Sequence, residues 1–578
     1  MHCEAQIWEI CFVIPMGGGE QSIFKFADFI AALALLVIVY TLSDVRYRFR
    51  LAIAPTRFHL FGETFAMIGI IGFGILLTDL WVAEHWLVPA TVIITGPIWR
   101  GMFAAMFLSL AMTWIWYAFI RPPIFGKKNY KRYYDSLYYS VIKGSGEELP
   151  IIAVELGRSA MSLVKYARPD TPQWASALPP QLKETPSPNE QKPGVAEIAH
   201  DVLLLIGNRK FCRYIVESSP VTAVQFFDAV VLQKKAGLPL GQFATNISSE
   251  AILNKDSILY HEDEGFSAGL TGYLKTFSRS IYGNYALVEE LGSRSGSPLD
   301  IRLELRFKWD ADQVGAYCRG ILLTFEDYLE ANRWGQRSSV LNMAFENVGS
   351  ATNDLYLLDK TENYYSTDIS KRLDATVKFL QSAVELLDKA TPFPNTRLKT
   401  KGKYLDGTFY DTIADLMFEI IFDASAVNSP FYTCWNIQYC AVWGEFFGMT
   451  ERTKAWKIVQ FKLRRLLYDE VLQMDKIVPN FKSARILGFC LNVMGLEIGT
   501  GEVGREHRAL HRAILAWTRL NYLRVRREYP KVAEACLVGS ISFDAKRKRL
   551  MKTYAEGLNR KPDQRYLSLL EPPAQLTK

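Results

Sequence analysis

Seven histidines are present, and two places set one beside other groups able to hold a metal or move a proton. His261-Glu262-Asp263-Glu264, with Lys255 and Asp256 just upstream, offers three consecutive carboxylates. Consecutive side chains cannot all face one ion from a regular element, so a metal site here would need a loop and ligands from elsewhere. No spaced ligand motif supplies them, and a solvated acidic loop is expected. His507 and His511 share a helix face at a spacing of four, which can clamp zinc. The intervening Arg508-Ala509-Leu510 lacks the glutamate of a metalloprotease helix, and Arg505, Arg508 and Arg512 would repel a cation. The expectation is a basic surface, with no metal and no cofactor.

Gly499-Thr500-Gly501-Glu502-Val503-Gly504 satisfies G-x-G-x-x-G ahead of a helical pattern, and such glycines let backbone N–H groups approach a phosphate. The preceding stretch from Arg485 to Ile498 is patterned as a buried helix and not as a first strand, so a glycine-rich connection between helices is expected. No G-x-x-x-x-G-K-[ST] phosphate loop, G-x-S-x-G elbow or C-x-x-C pair occurs, and Cys434 and Cys440 fall in an aromatic, core-like stretch. No catalytic residue is assigned.

Charge is more informative. The chain carries 67 Lys and Arg against 60 Asp and Glu, yet residues 501–560 hold 14 against 6 while residues 134–500 hold 39 against 44. Arg505, Arg508, Arg512, Arg519 and Arg526 recur at helical spacings, and Lys546, Arg547, Lys548 and Arg549 form a dense run. These nine are the candidate residues for binding an anionic ligand or lipid. An acidic protein, a second copy of the chain or a nucleotide would meet the same charge; aromatics for base stacking are not interleaved, so nucleic acid has the least support.

The elements that hold these residues begin in a membrane. Gly101 to Ile120 is twenty residues without a charge, which at about 1.5 Å per residue spans a hydrocarbon core of roughly 30 Å. Ile23 to Leu42 and Phe61 to Leu80 are two further runs of spanning length. Lys25 and Asp28 are placed to pair near the interface, and Gly62, Ala66 and Gly69 suit close helix packing in lipid. Trp86 to Ile98 is too short to span and carries Pro89 and Pro97, so it is expected to be re-entrant or interfacial. Basic residues flank the spans asymmetrically. Arg46, Arg48, Arg50 and Arg57, then Arg121, Lys127, Lys128, Lys131 and Arg132, stand on one side against Lys25 and Arg100 on the other. With three spans this places residues 1–22 outside and everything after Arg121 in the cytoplasm, in a multi-pass protein of the plasma (inner) membrane.

Residues 121–167 interleave Lys and Arg with tyrosines at spacings of three and four, which suits juxtamembrane helices on an anionic leaflet. Seven prolines between Arg168 and Gly194 predict a linker over 168–195. From 196 to 578 most segments repeat apolar residues at three and four, including Ala196–Ile206, Val221–Lys234, Asp312–Arg333, Ser370–Lys389, Asp406–Phe422, Tyr439–Met474 and Glu506–Arg527. Alternation marks Ile301–Trp309 as the best strand candidate. The fold class is mainly α: a three-helix transmembrane region, 23–120, followed by a large, mostly helical cytoplasmic domain.

Three functional readings follow. The first is a membrane-anchored helical sensor or interaction domain that binds a partner or anionic ligand through its basic C-terminal part. The alternatives are an oligomeric ligand-gated pore or membrane-disrupting effector, with Lys25, Asp28, Glu63, Asp79 and Glu84 along its path, and a membrane-tethered enzyme acting on nucleotides or phosphate esters near Gly499 to His511.

Overall fold

The computed structural model describes residues 5–7, 10–13, 25–42, 44–55, 60–84, 88–89, 96–169, 194–267, 276–300, 309–333, 337–390, 407–448, 453–476, 480–498, 507–554 and 563–571. The chain is mainly helical, and packing divides it into Met1–Glu250 and Ala251–Lys578. The strand expected at 301–308, the proline-rich segment at 170–193, the glycine-rich turn at 499–504 and Arg505 lie outside the described residues.

The first unit opens with strands β1 (Ala5–Ile7) and β2 (Ile10–Val13) and the apolar helix α1 (Phe26–Leu42). After the short α2 (Val45–Ala52) come α3 (Leu60–Ala83), β3 (Val88–Pro89) and α4 (Gly96–Ile115), which runs on through a π-helical turn, Trp116–Ile120. Thr64–Ala83 and Gly96–Ile120 are long and apolar enough to cross a membrane, and Phe26–Ile38 is a shorter apolar helix. Polar clamps at both ends make α3 and α4 antiparallel. Trp114 Nε1 donates to Thr64 Oγ1 (2.9 Å) at one end, and Arg100 pairs with Asp79 (2.6 Å) at the other. The Asp79 carboxylate also accepts the Phe26 N–H (3.2 Å), which brings the start of α1 to that same end.

Several expectations for this region change. Gly69 has open space around it and Ala66 is exposed. Close approach occurs instead at Gly72, where a Cβ would sit 2.7 Å from the Phe29 ring, and at Gly74, where it would sit 2.3 Å from Phe103. Spacing alone could not choose between these faces, because every face of α3 is apolar; the bulky partners Phe29 and Phe103 decide it. Asp28 accepts the Lys25 backbone N–H (2.9 Å) and so caps α1, where a side-chain pair was expected. Of the stretch from Trp86 to Ile98, expected to be re-entrant or interfacial, the described residues are the two-residue strand β3 and the start of α4. Val88 and Pro89 pair with Val13 and Phe12, completing the sheet β1-β2-β3.

Beyond the π turn, α5 (Tyr130–Lys143), α6 (Glu148–Gly157) and α7 (Ala160–Tyr166) pack with α8 (Val195–Leu205), α9 (Arg209–Ser218) and α10 (Pro220–Gln233). The two ends of the proline-rich segment meet, with Arg168 N–H donating to Ala196 O (3.3 Å), so the division of the chain by packing falls at Glu250, inside α11 (Gly241–Leu253). On α5, Tyr133, Leu137 and Val141 repeat every four residues and are buried, which leaves Lys131, Tyr138, Tyr139, Ile142 and Lys143 exposed. Arg50 is not a free flank charge. Its guanidinium is buried, donating to Glu155 through Nε (2.9 Å) and Nη2 (2.6 Å) and to Ala118 O through Nη1 (2.6 Å). This knot joins α2, the π turn and α6.

The second unit contains α12 (Ile258–Ser267), α13 (Thr276–Tyr282), α14 (Tyr285–Gly292), α15 (Ala311–Glu330), α16 (Ser339–Gly349), α17 (Asp368–Lys389) and α18 (Phe409–Ala424). Its centre is aromatic: Phe325, Phe345 and Phe409 meet at ring separations of 4.8 to 5.5 Å in edge-on and tilted arrangements, the geometry favoured by the ring quadrupole. The helix expected over Tyr439–Met474 is broken. Following α19 (Phe431–Trp435), residues Asn436–Gly444 are π-helical and lead into α20 (Glu445–Phe447), and α21 (Lys454–Gln473) then starts afresh, N-capped by Thr453. The chain ends through α22 (Phe481–Met494), α23 (Arg508–Glu528), α24 (Pro530–Ala535) and a sheet that the sequence reading missed, β4 (Ile541–Asp544), β5 (Arg549–Thr553) and β6 (Gln564–Ser568).

Candidate basic interaction face

Helix α23 is amphipathic because its apolar residues recur at three and four. Leu510, Ile514, Leu515, Trp517, Thr518, Tyr522 and Val525 point inward, which turns Arg512 and Arg519 to solvent. The helix is pinned by Trp517 Nε1 and Arg524 Nη2, which both donate to Asp475 (3.0 and 3.1 Å). The five-arginine stripe is therefore narrower than its spacing suggested. Arg508 is half-buried, and Arg526 folds over the Phe543 ring at 4.4 Å. The stripe gains exposed Arg527, which the reading of spacings passed over.

The second basic run occupies a hairpin. Asp544 and Arg549 are the last paired residues of β4 and β5, so Ala545 to Lys548 form the turn. Asp544 organises it, accepting the Arg547 N–H (3.2 Å) and Arg549 Nε (3.1 Å), while Lys548 takes a left-handed φ of 47°. Lys546, Arg547 and Lys548 are consequently exposed at the tip, whereas Arg549 is half-buried with its guanidinium 3.8 Å from the Tyr566 ring centre. The nineteen residues between Arg526 and Lys546 give no hint that stripe and run meet. The strand end after β6 brings them together: Leu569 N–H donates to Lys548 O (3.0 Å) and Leu570 N–H to Arg519 O (2.9 Å). Glu571 then pairs with Lys548 and is held below the usual carboxylate range by that ammonium, with Arg527 contributing. Leu520 and Leu570, 55% and 54% exposed, add apolar area among the cations.

The two histidines expected on this surface face inward. His511 is buried and its Nε2–H donates to Gly495 O (2.8 Å); burial lowers its pKa, which keeps it neutral. His507 packs against the Phe447 and Trp443 rings at 4.8 and 5.4 Å. Gly495, which caps α22 with φ of 84°, lies so close to Tyr554 Oη that a Cβ would sit 2.9 Å from it. The acidic run at 261–264 is helical instead of looped. Glu262 is buried there, and its carboxylate accepts the Phe277 N–H (2.9 Å) and Ser278 Oγ (2.5 Å), capping α13.

One cation escaped the sequence reading. β5 alternates, burying Leu550 and Lys552, and Lys552 is 1% exposed. Its Nζ donates to Asn492 O and lies 4.9 and 4.7 Å from the Trp435 and Tyr554 ring centres. Burial pulls its pKa down to about 8, with the Cys434 thiol opposing. An amine so tuned could act as a nucleophile. Among the described residues it is enclosed, and its contacts tie the sheet to α22 and α19. The alternation in Ile541–Asp544 was the available signal for this sheet, since Arg549–Thr553 and Gln564–Ser568 do not alternate in polarity.

No family model matches this chain, and no curated protein or solved structure resembles it.

Proposed function

We propose that this chain is an integral membrane protein that binds a polyanionic partner through the face built by α23, the β4–β5 hairpin and the strand end after β6. The observation that carries the reading is the stitching of Arg519 and Lys548 to consecutive residues of one strand end, which merges two basic clusters into one surface with an apolar centre. Such a surface attracts polyanions at long range and holds them by desolvating the leucines. Partner classes are an acidic protein surface, including the acidic middle of a second copy, or an anionic lipid headgroup.

The membrane is read as the plasma (inner) membrane, with the N-terminus outside and residues after Arg121 in the cytoplasm. Supporting this, Arg48, Arg121, Lys127, Lys128 and Lys131 are exposed on the flanks of the spans, with Arg46 and Arg132 partly so. The antiparallel α1, α3 and α4 also bring their β1-β2-β3 connections to one end. With Cys3 and Cys11 replaced by Ser, labelling of Gly18→Cys and Lys128→Cys with an impermeant maleimide on intact cells should modify only the first; the reverse pattern inverts the topology. For the face itself, the full chain in nanodiscs should bind poly-glutamate with strongly salt-dependent affinity. Lys546→Gln/Arg547→Gln/Arg519→Gln should weaken that binding at least about tenfold, roughly 1.4 kcal/mol. Unchanged binding by the variant, or none by the parent to poly-glutamate or phosphatidylserine nanodiscs, refutes the assignment.

A further inference from the structure

A cavity of about 300 Å³ opens in the second unit, between α12, α13, α15 and α17. Its floor is apolar, formed by Leu259, Leu322, Leu323 and Leu386. The helical period explains the rim. On α15, Arg319 and Glu326 bracket Leu322 and Leu323, and on α17, Glu385 and Lys389 bracket Leu386, so each helix sets opposite charges on the same face as its leucines. Arg279 of α13 adds a third cation.

None of these five charged groups forms an ion pair among the described residues. Elsewhere in the unit pairing is common: Lys255 with Asp310, Arg372 with Asp354, Lys482 with Glu419 and Arg524 with Asp475. The buried carboxylate at the wall, Glu262, is engaged in capping α13. Among the described residues the cavity thus gathers three cations and two anions without an ion-pair partner around a hydrophobic floor, Arg319 resting 5.9 Å from the Tyr260 ring centre.

We propose that this cleft binds a small zwitterion with an apolar body, of dipeptide size. The ligand's carboxylate meets Arg279, Arg319 or Lys389, its ammonium meets Glu326 or Glu385, and its side chains cover the leucines. The five charged groups stand exposed at the rim and select by charge complementarity: a simple anion finds two carboxylates beside it, a simple cation three basic groups, and a neutral ligand leaves all five unused. The volume lies at the small end of ligand pockets.

The test is calorimetric titration of the full chain in nanodiscs with the dipeptide Leu-Leu, its N-acetyl derivative and its C-terminal amide. Leu-Leu should saturate with a dissociation constant of about 0.1 to 1 mM, and each blocked form should bind at least about tenfold more weakly. Arg279→Gln/Arg319→Gln/Lys389→Gln should erase the discrimination against the amide, and Glu326→Gln/Glu385→Gln that against the acetylated form; all five positions are exposed, so folding is preserved. No saturable binding of Leu-Leu up to about 10 mM, equal affinity for the blocked forms, or variants that discriminate like the parent would overturn the proposal.

Discussion

Glu155→Gln should destabilise the first unit by about 3 to 5 kcal/mol, the cost of leaving a buried charge without its partner. The Glu155 and Arg50 side chains are 3% and 6% exposed, and the pair is bidentate at 2.9 and 2.6 Å. Glutamine keeps the shape and one acceptor but removes the charge. Arg50 would then be buried without a counter-charge, held by neutral acceptors only, with Arg46 (3.7 Å from Glu155) and Arg158 (3.9 Å) adding like charge nearby. Those two outer arginines are 37% and 45% exposed, so solvent screening limits each to about 0.5 kcal/mol or less. Arg50→Met/Glu155→Met removes both buried charges together. It forfeits the hydrogen bond to Ala118 O, about 1 kcal/mol, and avoids the desolvation, so its total cost should stay under about 2 kcal/mol. With the single variants Arg50→Met and Glu155→Met closing the cycle, the coupling should be at least about 1 to 2 kcal/mol. Unfolding in bicelles by added SDS, followed by tryptophan fluorescence, measures each of these proteins. A Glu155→Gln loss below about 1 kcal/mol, or a double variant worse than the single, would refute the claim that this pair closes a desolvated knot.

The Asp423 carboxyl is raised to about 6, mainly by burial, against the lowering effect of its bond from Thr352 Oγ1 (2.9 Å). Its contribution to stability is complete below the unfolded value near 4 and is lost as pH rises through 6, so wild-type stability should fall by about 1 to 2 kcal/mol over that window after allowing for partial exposure. Asp423→Asn should flatten this part of the pH profile in thermal unfolding; an unchanged slope would exclude the group as its source. Within the spans, Gly72→Leu and Gly74→Leu should each cost about 1 to 3 kcal/mol by overpacking against Phe29 and Phe103. Gly69→Leu, facing open space, should be tolerated, and the same bicelle assay ranks the three.

Much of the helical layout was legible in local pattern. The periods over 196–206, 221–234, 312–333, 370–389 and 506–527 each fall on a helix, because one buried stripe per helix imposes its own spacing. The short strand at Val88–Pro89 was not read because its partner lies far off in sequence, and the C-terminal sheet was not read because β5 buries a lysine and β6 carries little apolar pattern, although its strands pair locally. The break in 439–474 escaped for a related reason: a π segment preserves apolar character while changing the turn, so hydropathy cannot register it.

By itself, the sequence determined that two or three apolar helices precede a mainly helical remainder, and that its C-terminal part is basic, because length, hydropathy and charge are sums over local residues. Tertiary structure alone decided what each charge does. Arg50 and Lys552 are enclosed, Arg526 and Arg549 lie on aromatic rings, and Glu262 caps a helix, whereas Arg512, Arg519, Lys546 and Arg547 are exposed. The physical reason is that a charge is spaced by its own element but desolvated by another, and the desolvating element can lie a hundred residues away, as Glu155 does from Arg50.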